Sequence, residues 1–254
     1  MRLADQVAVI TGAGRGLGEQ VARAFCREGA KVVLASEAAS EVEAVAEDLR
    51  ARGASALAAF ADVREEESVR SLFERTREHF GEVDVLLNCA GVLFVKAVVE
   101  TEAEEWDNLI RINLRGTFLC SREALKGMVP RKRGLILNVT SGFGYKGGAL
   151  VSAYSASKFA VEGFSQSLAA EVKEHGIRVN TLHPGGVART AMGRASTARL
   201  SAHQADPPED QWQPVDALVE PAVFLASAEG EGADVTGRSV NAREWNAERR
   251  GRSG

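Results

Sequence analysis

Short runs of valine, isoleucine, leucine and alanine recur along the chain, and longer segments with helical periodicity separate most of them. The runs are continuous rather than alternating with polar residues, which is typical of parallel strands buried on both faces of a sheet. They predict strands, the last one only weakly marked, at residues 7–11, 31–35, 56–61, 83–88, 135–139, 178–182 and 238–241.

The intervening segments repeat apolar residues at helical spacing. Val42, Val45, Ala46 and Leu49, for example, lie at positions i, i+3, i+4 and i+7 and form one helical stripe. Strands that alternate with helices predict an α/β fold, a parallel sheet of about seven strands with helices on both faces. The helices are expected at residues 17–28, 39–52, 66–80, 102–127, 152–175 and 215–227.

The length and composition of the chain are typical of a globular protein. Of its 254 residues, 45% are hydrophobic and 26% are charged, which argues against disordered, fibrous and coiled-coil classes. No flexible linker divides the chain, so one domain is expected over residues 1–254. The net charge of −4 provides no positive field for nucleic acid or anionic lipid, and neither is an expected partner.

Cysteine and histidine usage bears on the compartment and on metals. Cys26, Cys89 and Cys120 are widely spaced and fit neither a disulfide framework nor a zinc site, and the four histidines lack metal-ligand spacing. The N-terminus reaches a glycine cluster after one short apolar run, and no later run approaches the length of a membrane span. We therefore expect a cytoplasmic protein without a metal site.

A glycine-rich turn follows the first predicted strand. The literal G-x-G-x-x-G spacing fails, but the related G-x-x-x-G-x-G is present at Gly12, Gly16 and Gly18. Such a turn lets the backbone approach a pyrophosphate, whose charge then lies at the positive end of the following helix. Glycine can also serve turn geometry alone. The position between the first strand and the first helix favours dinucleotide binding.

Two residues give conflicting indications about the adenosine end of such a cofactor. The acceptor for its ribose is expected at the end of the second strand, where Ser36 and Glu37 lie. A Glu37 carboxylate would hold the ribose of NAD and repel the 2′-phosphate of NADP, whereas Arg15 would pair with that phosphate. Glu37 could equally be a solvated charge, so NAD and NADP both stay open, with a lean to NAD.

Candidate chemistry lies around residue 154. Tyr154 and Lys158 share one face of a predicted helix at i, i+4 spacing, so the phenol and the ammonium can act together. An adjacent positive charge favours the phenolate, which a tyrosine needs for acid–base work near neutral pH. Ser141 follows the strand at 135–139, at the sheet edge where ligands bind, and can donate to a carbonyl oxygen.

These residues, in this order, resemble the short-chain dehydrogenase/reductase family in its single-domain branch, whose length the chain matches. The resemblance covers about residues 5–241. It implies a Rossmann-type doubly wound sheet, a nicotinamide cofactor and reversible carbonyl–alcohol chemistry. The matching motifs are the turn Thr11–Gly18, Asp62-Val63, Asn88-Cys89-Ala90-Gly91, Asn113, Ser141, Tyr154, Lys158 and Pro184-Gly185.

The family mechanism implies a role for each matched residue. Tyr154 would be the general acid–base, and Ser141 would orient the carbonyl. Lys158 would hold the nicotinamide ribose and lower the pKa of the tyrosine, while Asn113 would anchor a water in a proton relay. The cofactor would contact Gly12, Gly14, Arg15, Gly16, Leu17, Gly18, Ser36, Glu37, Asp62, Val63, Asn88, Ala90, Gly91, Tyr154, Lys158, Pro184, Gly185, Val187 and Thr190.

Three departures from the family pattern stand out. One extra residue precedes Thr190 in the segment after Pro184-Gly185, which puts its contact with the carboxamide in question. Ser36-Glu37 replaces the more usual cofactor-selecting residues. The segment after the last strand lacks the usual Asp-Gly-Gly, so subunit contacts near that edge are expected to differ.

The sequence thus predicts an NAD(P)-dependent oxidoreductase that moves a hydride between nicotinamide and a secondary alcohol or ketone. A 3-oxoacyl thioester reductase is the specific alternative, and a non-catalytic dinucleotide-binding sensor or scaffold is the alternative from another class. The helices at 102–127 and 152–175 carry apolar residues on more than one face, which predicts a homo-oligomer, as the family resemblance suggests a tetramer.

Two stretches fall outside the alternation of strands and helices. Residues 186–214 combine small residues with Met192, Leu200 and Trp212, and two prolines interrupt any helix there. A connection of this length is typically a lid, a binding loop or disordered, and we expect a mobile substrate lid that closes over the nicotinamide end. Residues 243–254 are expected to be a polar, solvated tail.

Overall fold

The fold was analysed in a computed structural model of the chain. The structure describes residues 1–203, 205–227 and 231–252. Gln204 of the predicted lid and Ser253 and Gly254 of the predicted tail lie outside the described residues.

A parallel sheet forms the centre of the molecule, as predicted. Within the described ranges it has seven strands in the order β3-β2-β1-β4-β5-β6-β9, and every neighbouring pair is parallel. From β1 the chain adds β2 and β3 on one side, and it then adds β4 and the later strands on the other side. This change of side creates a crevice at the carboxyl ends of β1 and β4. The strands are β1 (Val7–Thr11), β2 (Lys31–Ser36), β3 (Ala56–Phe60), β4 (Val85–Asn88), β5 (Gly134–Val139), β6 (Ile177–His183) and β9 (Ser239–Asn241).

Helices cover both faces of this sheet. They are α1 (Gly16–Arg27), α2 (Ala39–Ala51), α3 (Glu66–Phe80), α4 (Ala103–Ile110), α5 (Gly116–Arg131), α6 (Ser152–Val172), α7 (Ala191–Leu200), α8 (Val219–Ala226) and α9 (Ala242–Arg252). Buried residues of α1, α2 and α8 pack with one face, and those of α3, α5 and α6 pack with the other. The Rossmann-type doubly wound fold is therefore confirmed. Strands β1, β2, β4, β5 and β6 are largely buried on both sides, which explains their apolar runs, whereas β3 and β9 at the two edges are partly exposed.

The predicted helix at 102–127 is divided in two. A turn of π-helix at Arg111–Arg115 separates α4 from α5. Its central residue, Asn113, is buried and turns its side chain to the backbone of Val92, donating to the carbonyl at 2.9 Å and accepting from the amide at 2.8 Å. An inserted residue of this kind is a local change of winding that apolar periodicity does not reveal.

The two irregular stretches contain regular structure. In residues 186–214, β7 (Val187–Ala188) pairs with β8 (Trp212–Gln213), and α7 lies between them. Every residue of α7 is at least partly exposed, so no apolar stripe marks this helix in the sequence. Residues 243–252 of the predicted tail belong to α9, where Trp245 packs on Phe224 at 5.5 Å between ring centroids.

Among the helices that the structure describes, none combines the length and the apolar character needed to cross a membrane.

Candidate active site

The glycine turn joins β1 to α1 with close backbone packing. Gly12 has a φ of +66°, and a Cβ atom there would lie 2.8 Å from the Cα of Ala90. A Cβ on Gly18 would lie 2.4 Å from the carbonyl oxygen of Gly12. Side chains are therefore excluded on both sides of the turn. Arg15 precedes α1 without a side-chain cap, so the first amide groups of the helix remain available to an anion.

The end of β4 lies directly against this turn. The Thr11 hydroxyl accepts hydrogen bonds from the amides of Cys89 at 3.1 Å and Ala90 at 3.2 Å, which fixes the two strand ends together. A Cβ on Gly91 would meet Asn113 at 3.3 Å and the Lys158 amine at 3.8 Å. The backbone from residue 89 to 91 thus links the glycine turn to the candidate catalytic groups.

Asn88 ends β4 and is turned into the sheet. Its Nδ2 donates to Asn138 at 2.8 Å and to Ser121 at 3.2 Å, while its buried Oδ1 has no partner among the described residues. The side chain therefore fixes the ends of neighbouring strands, and only the backbone of Asn88 faces the turn region through its pairing with Thr11.

Charged residues surround the end of β2. The Glu37 carboxylate pairs with Arg64 at 3.1 Å, and Arg64 also pairs with Asp62 at 2.7 Å. Hydrogen bonding from Arg64 lowers the pKa of Asp62. The Arg15 guanidinium pairs with Glu41 at 2.9 Å. Both residues that the sequence offered for cofactor choice thus have partners in the protein, although such exposed pairs are weak and readily exchanged.

The other predicted contacts at this end follow from strand geometry. Ser36 is the last residue of β2, and its Oγ accepts from the amide of Ala38 at 3.2 Å. Val63 is buried and packs against Gly116, where a Cβ would approach within 2.8 Å. These residues form one edge of the crevice, and β1 and β4 lie between β2 and β5, the strand that precedes Ser141.

The structure brings Ser141, Tyr154 and Lys158 together. Ser141 follows β5, and its hydroxyl lies close enough to the phenol of Tyr154 to act on the pKa of that phenol. Tyr154 and Lys158 lie in the first two turns of α6, with the Lys158 Nζ atom 5.6 Å from the centroid of the tyrosine ring. Lys158 is only 5% exposed and donates to the carbonyl of Val139 at 2.9 Å.

Burial is the main influence on the pKa values of Tyr154 and Lys158. It raises the pKa of Tyr154 to about 12, and the hydrogen bond from Ser141 opposes this rise. Burial also lowers the pKa of Lys158 to about 8. In the protein alone the phenol is therefore protonated at neutral pH, and the lowered phenol pKa expected from the adjacent lysine is not found. A further positive charge in the crevice is needed to favour the phenolate.

Asn113 lies beside this group. In addition to its bonds with Val92, its Nδ2 donates to the hydroxyl of Ser157, which precedes Lys158. The carbonyl of Asn113 accepts from the hydroxyl of Thr117 at 2.9 Å. The side chain thus holds the segment after β4 against the start of α6.

The segment after β6 closes the crevice. Pro184 is buried at the strand end, and Gly185, with a φ of +79°, directs the chain toward Val187 in β7. Thr190 caps α7 by accepting from the amide of Gly193 at 3.0 Å. A Cβ on Gly16 would lie 3.3 Å from the Thr190 methyl group, so the extra residue before Thr190 still leaves this side chain against the glycine turn.

Sequence reasoning placed Thr11 in the glycine-turn motif without a role for its side chain, and it missed two further residues that shape this site. Thr140 directly follows β5, where a β-branched residue also suits the strand, so no feature distinguished it. Glu162 gave a detectable signal, because it is an acidic residue in a largely apolar helix, two turns after Tyr154. Its carboxylate is buried and accepts from Thr140 at 2.6 Å.

Comparison with protein families gives a match to the model of the short chain dehydrogenase family over residues 6–201. The 3-oxoacyl-(acyl-carrier-protein) reductase FabG of Escherichia coli is 32% identical, over 95% of this chain and 97% of that protein.

Two solved structures extend this likeness to the whole fold. The 3-ketoacyl-(acyl-carrier-protein) reductase of Brucella melitensis, complexed with NADH, is 30% identical with a TM-score of 0.85, covering 94% of this chain and 97% of that one. A variant of actinorhodin polyketide ketoreductase with NADPH is 29% identical with a TM-score of 0.88, covering 95% and 96%.

Proposed function

The chain belongs to the short-chain dehydrogenase family and is an NAD(P)-dependent oxidoreductase, and we propose that Tyr154 is the acid–base with which it interconverts a ketone and a secondary alcohol. The observation that carries the proposal is the contact of Ser141, Tyr154 and the buried Lys158 beside a glycine turn that excludes side chains.

The glycine turn fits a dinucleotide. The pyrophosphate would lie where the turn packs against Ala90 and α1 begins without a side-chain cap. Gly14 and Leu17 would contribute backbone contacts to it. Lys158 would hold the nicotinamide ribose, and Gly91, Pro184, Val187 and Thr190 would border the ring. The bound nicotinamide supplies or accepts the hydride.

The protein's own groups manage the proton. In reduction, the Tyr154 hydroxyl donates its proton to the carbonyl oxygen, while the Ser141 hydroxyl donates a hydrogen bond to the same oxygen. A pKa of about 12 keeps this phenol protonated and ready to donate. Oxidation requires the phenolate, which the positive charges of Lys158 and of an oxidised nicotinamide both favour. Asn113 would anchor the water that returns the proton.

For the finer assignments we propose NAD as the preferred cofactor, because Glu37 directly follows the strand that borders the adenosine ribose. Three free cysteines fit a cytoplasmic enzyme, in which the whole chain forms one domain. A homotetramer is proposed from the exposed aromatic residues of α5 and α6. Residues 186–214 would act as the lid.

Ketones of the 3-oxoacyl thioester class are the first substrates to test, since two of the relatives carry that activity in their names. The experiment is a screen of 3-oxoacyl thioesters, simple ketones and secondary alcohols with both cofactors, following the absorbance of the reduced nicotinamide. Turnover of at least one carbonyl substrate, lost in Tyr154→Phe, is expected. Dinucleotide binding without turnover of any carbonyl or alcohol would instead favour a sensor.

A further inference from the structure

Val139, the last residue of β5, and the two residues that follow it lie against α6. The carbonyl of Val139 accepts from the amine of Lys158 at 2.9 Å, and the hydroxyl of Ser141 lies close enough to the phenol of Tyr154 to act on its pKa. Both α6 residues belong to the proposed catalytic group. The residue between these two, Thr140, makes a third contact with the same helix.

That third contact is to Glu162, one helical turn beyond Lys158. The Thr140 hydroxyl donates to Glu162 Oε1 at 2.6 Å. The spacing of four residues from Tyr154 to Lys158 and from Lys158 to Glu162 keeps all three side chains on one face of α6. Three successive residues, Val139, Thr140 and Ser141, therefore contact this face of α6.

Glu162 has a buried carboxylate, and hydroxyl groups surround its two oxygen atoms. It is 5% exposed, and Thr181 of β6 donates to its Oε2 at 2.9 Å while Ser239 of β9 lies within 3.4 Å of its Oε1. A buried charge is costly unless hydrogen bonds satisfy it, and here hydroxyl groups from the end of β5, from β6 and from β9 supply such partners. None of the roles proposed above uses it.

We propose that Glu162 is a positioning residue of the reaction: its carboxylate holds Thr140, and with it Ser141, against the helix that carries Tyr154, and its negative charge keeps Lys158 an ammonium. This inference rests on the proposed function, because Ser141, Tyr154 and Lys158 must carry the chemistry for their positions to matter.

The charge argument follows from the surroundings of Lys158. Its desolvation favours the neutral amine, and the charge of Glu162 acts in the opposite direction. Other titratable groups face these two residues from every neighbouring element. They are Tyr154 on α6, Cys89 after β4, Tyr145 after β5, His183 of β6 and Glu244 of α9.

Most of these groups are neutral at physiological pH. Burial raises the pKa of Cys89 to about 11 and the pKa values of Tyr145 and Tyr154 to about 12, and burial lowers the pKa of His183. Glu244 acts on His183. Glu162 is therefore the carboxylate that acts on Lys158 among the described residues.

Dinucleotide binding as a function of pH tests the charge role without a substrate. Affinity is measured by fluorescence titration of the reduced cofactor from about pH 7 to pH 10, a range that includes the lysine pKa. Wild-type affinity should fall as the Lys158 ammonium loses its proton. In Glu162→Gln this fall should move to lower pH by about one unit, which weakens binding several-fold near pH 8.

Glu171→Gln is the matched control, because it removes an exposed carboxylate from the same helix and should leave the profile unchanged. An unshifted profile in Glu162→Gln, or a wild-type affinity that is constant across the range, would overturn the charge role. Absence of dinucleotide binding in wild type would contradict the proposed function instead, so the two failures are distinguishable.

The positioning role is tested by removing one hydroxyl partner at a time. Thr140 and Thr181 are both buried and both donate to Glu162, but only Thr140 precedes Ser141. Thr140→Val should lower kcat about tenfold or more with little change in cofactor affinity, whereas Thr181→Val should affect mainly thermal stability. Equal kcat values in Thr140→Val and wild type would overturn the positioning role, even if Glu162→Gln failed to fold.

Discussion

At the residue scale, Tyr154 combines a partly buried phenol with a neighbouring ammonium. Tyr154→Phe removes only the hydroxyl, while the ring keeps its packing against Phe143, at 6.3 Å between centroids. We expect kcat to fall by roughly 10²-fold to 10⁴-fold, because proton transfer to the carbonyl oxygen is lost. Cofactor affinity should change only a few-fold. Steady-state kinetics and cofactor titration measure the two effects, and retained turnover would rule out the proposed role of this phenol.

Cofactor choice is also decided at single residues. Glu37 is paired with Arg64, so its negative charge toward a 2′-phosphate is partly compensated in the protein. Glu37→Arg removes that carboxylate and adds a second guanidinium, so the ratio of kcat/KM for NADP over NAD should rise by tenfold or more. The matched control is Glu47→Arg, which makes the same change of charge at an exposed position farther along α2 and should leave the ratio unchanged. An unaltered ratio in Glu37→Arg would mean that this side chain does not approach the ribose.

The catalytic candidates could be predicted from sequence because their chemistry is local. Ser141, Tyr154 and Lys158 are marked by residue type, by i, i+4 spacing and by position at a strand end. Contacts between residues distant in sequence left no comparable mark. The pairing of Glu37 with Arg64 and the bond from Thr140 to Glu162 depend on which elements pack together, and only the folded chain shows that.

At the scale of elements, the sequence predicted the strands of the main sheet because most of them are apolar runs, and it marked the short, partly exposed β9 only weakly. Helices were found where they bury a stripe. Helix α7 buries no stripe, and α9 is held mainly through Trp245 and polar contacts, so periodicity did not reveal either one. The π-turn at Arg111–Arg115 went unnoticed because a single inserted residue hardly alters an apolar pattern.

The exposure of α7 leads to a prediction about its motion. The helix begins at Thr190, beside Gly16 of the cofactor turn, and contributes little buried surface. Hydrogen exchange across α7 should be fast in the protein alone and should slow when cofactor and substrate are added, because ordering this segment closes the crevice. Helix α2, away from the nicotinamide end, provides the internal reference. Equal protection of α7 in both states would identify a fixed wall rather than a lid.

At the scale of the whole molecule, aromatic side chains remain on the outside of the two central helices. Leu119 and Val161 are buried in the core, but Phe118 of α5 is 42% exposed and Phe159 of α6 is 46% exposed. A helix pair that leaves such residues uncovered after packing its own sheet is typical of an interface between subunits. A second copy of the chain supplies the same helices, so the contact can be symmetric.

We therefore predict a homotetramer at micromolar concentration, measured by light scattering, and smaller species in the double variant Phe118→Asp and Phe159→Asp. Charges placed at the centre of an apolar interface would be desolvated without partners, which opposes assembly while leaving the exposed surface of a single subunit soluble. Phe60→Asp is the control, because Phe60 is 56% exposed at the end of β3, far along the sheet from both helices. It should keep the wild-type mass. A wild-type monomer would contradict the prediction, and the exposed phenylalanines would then need a different partner.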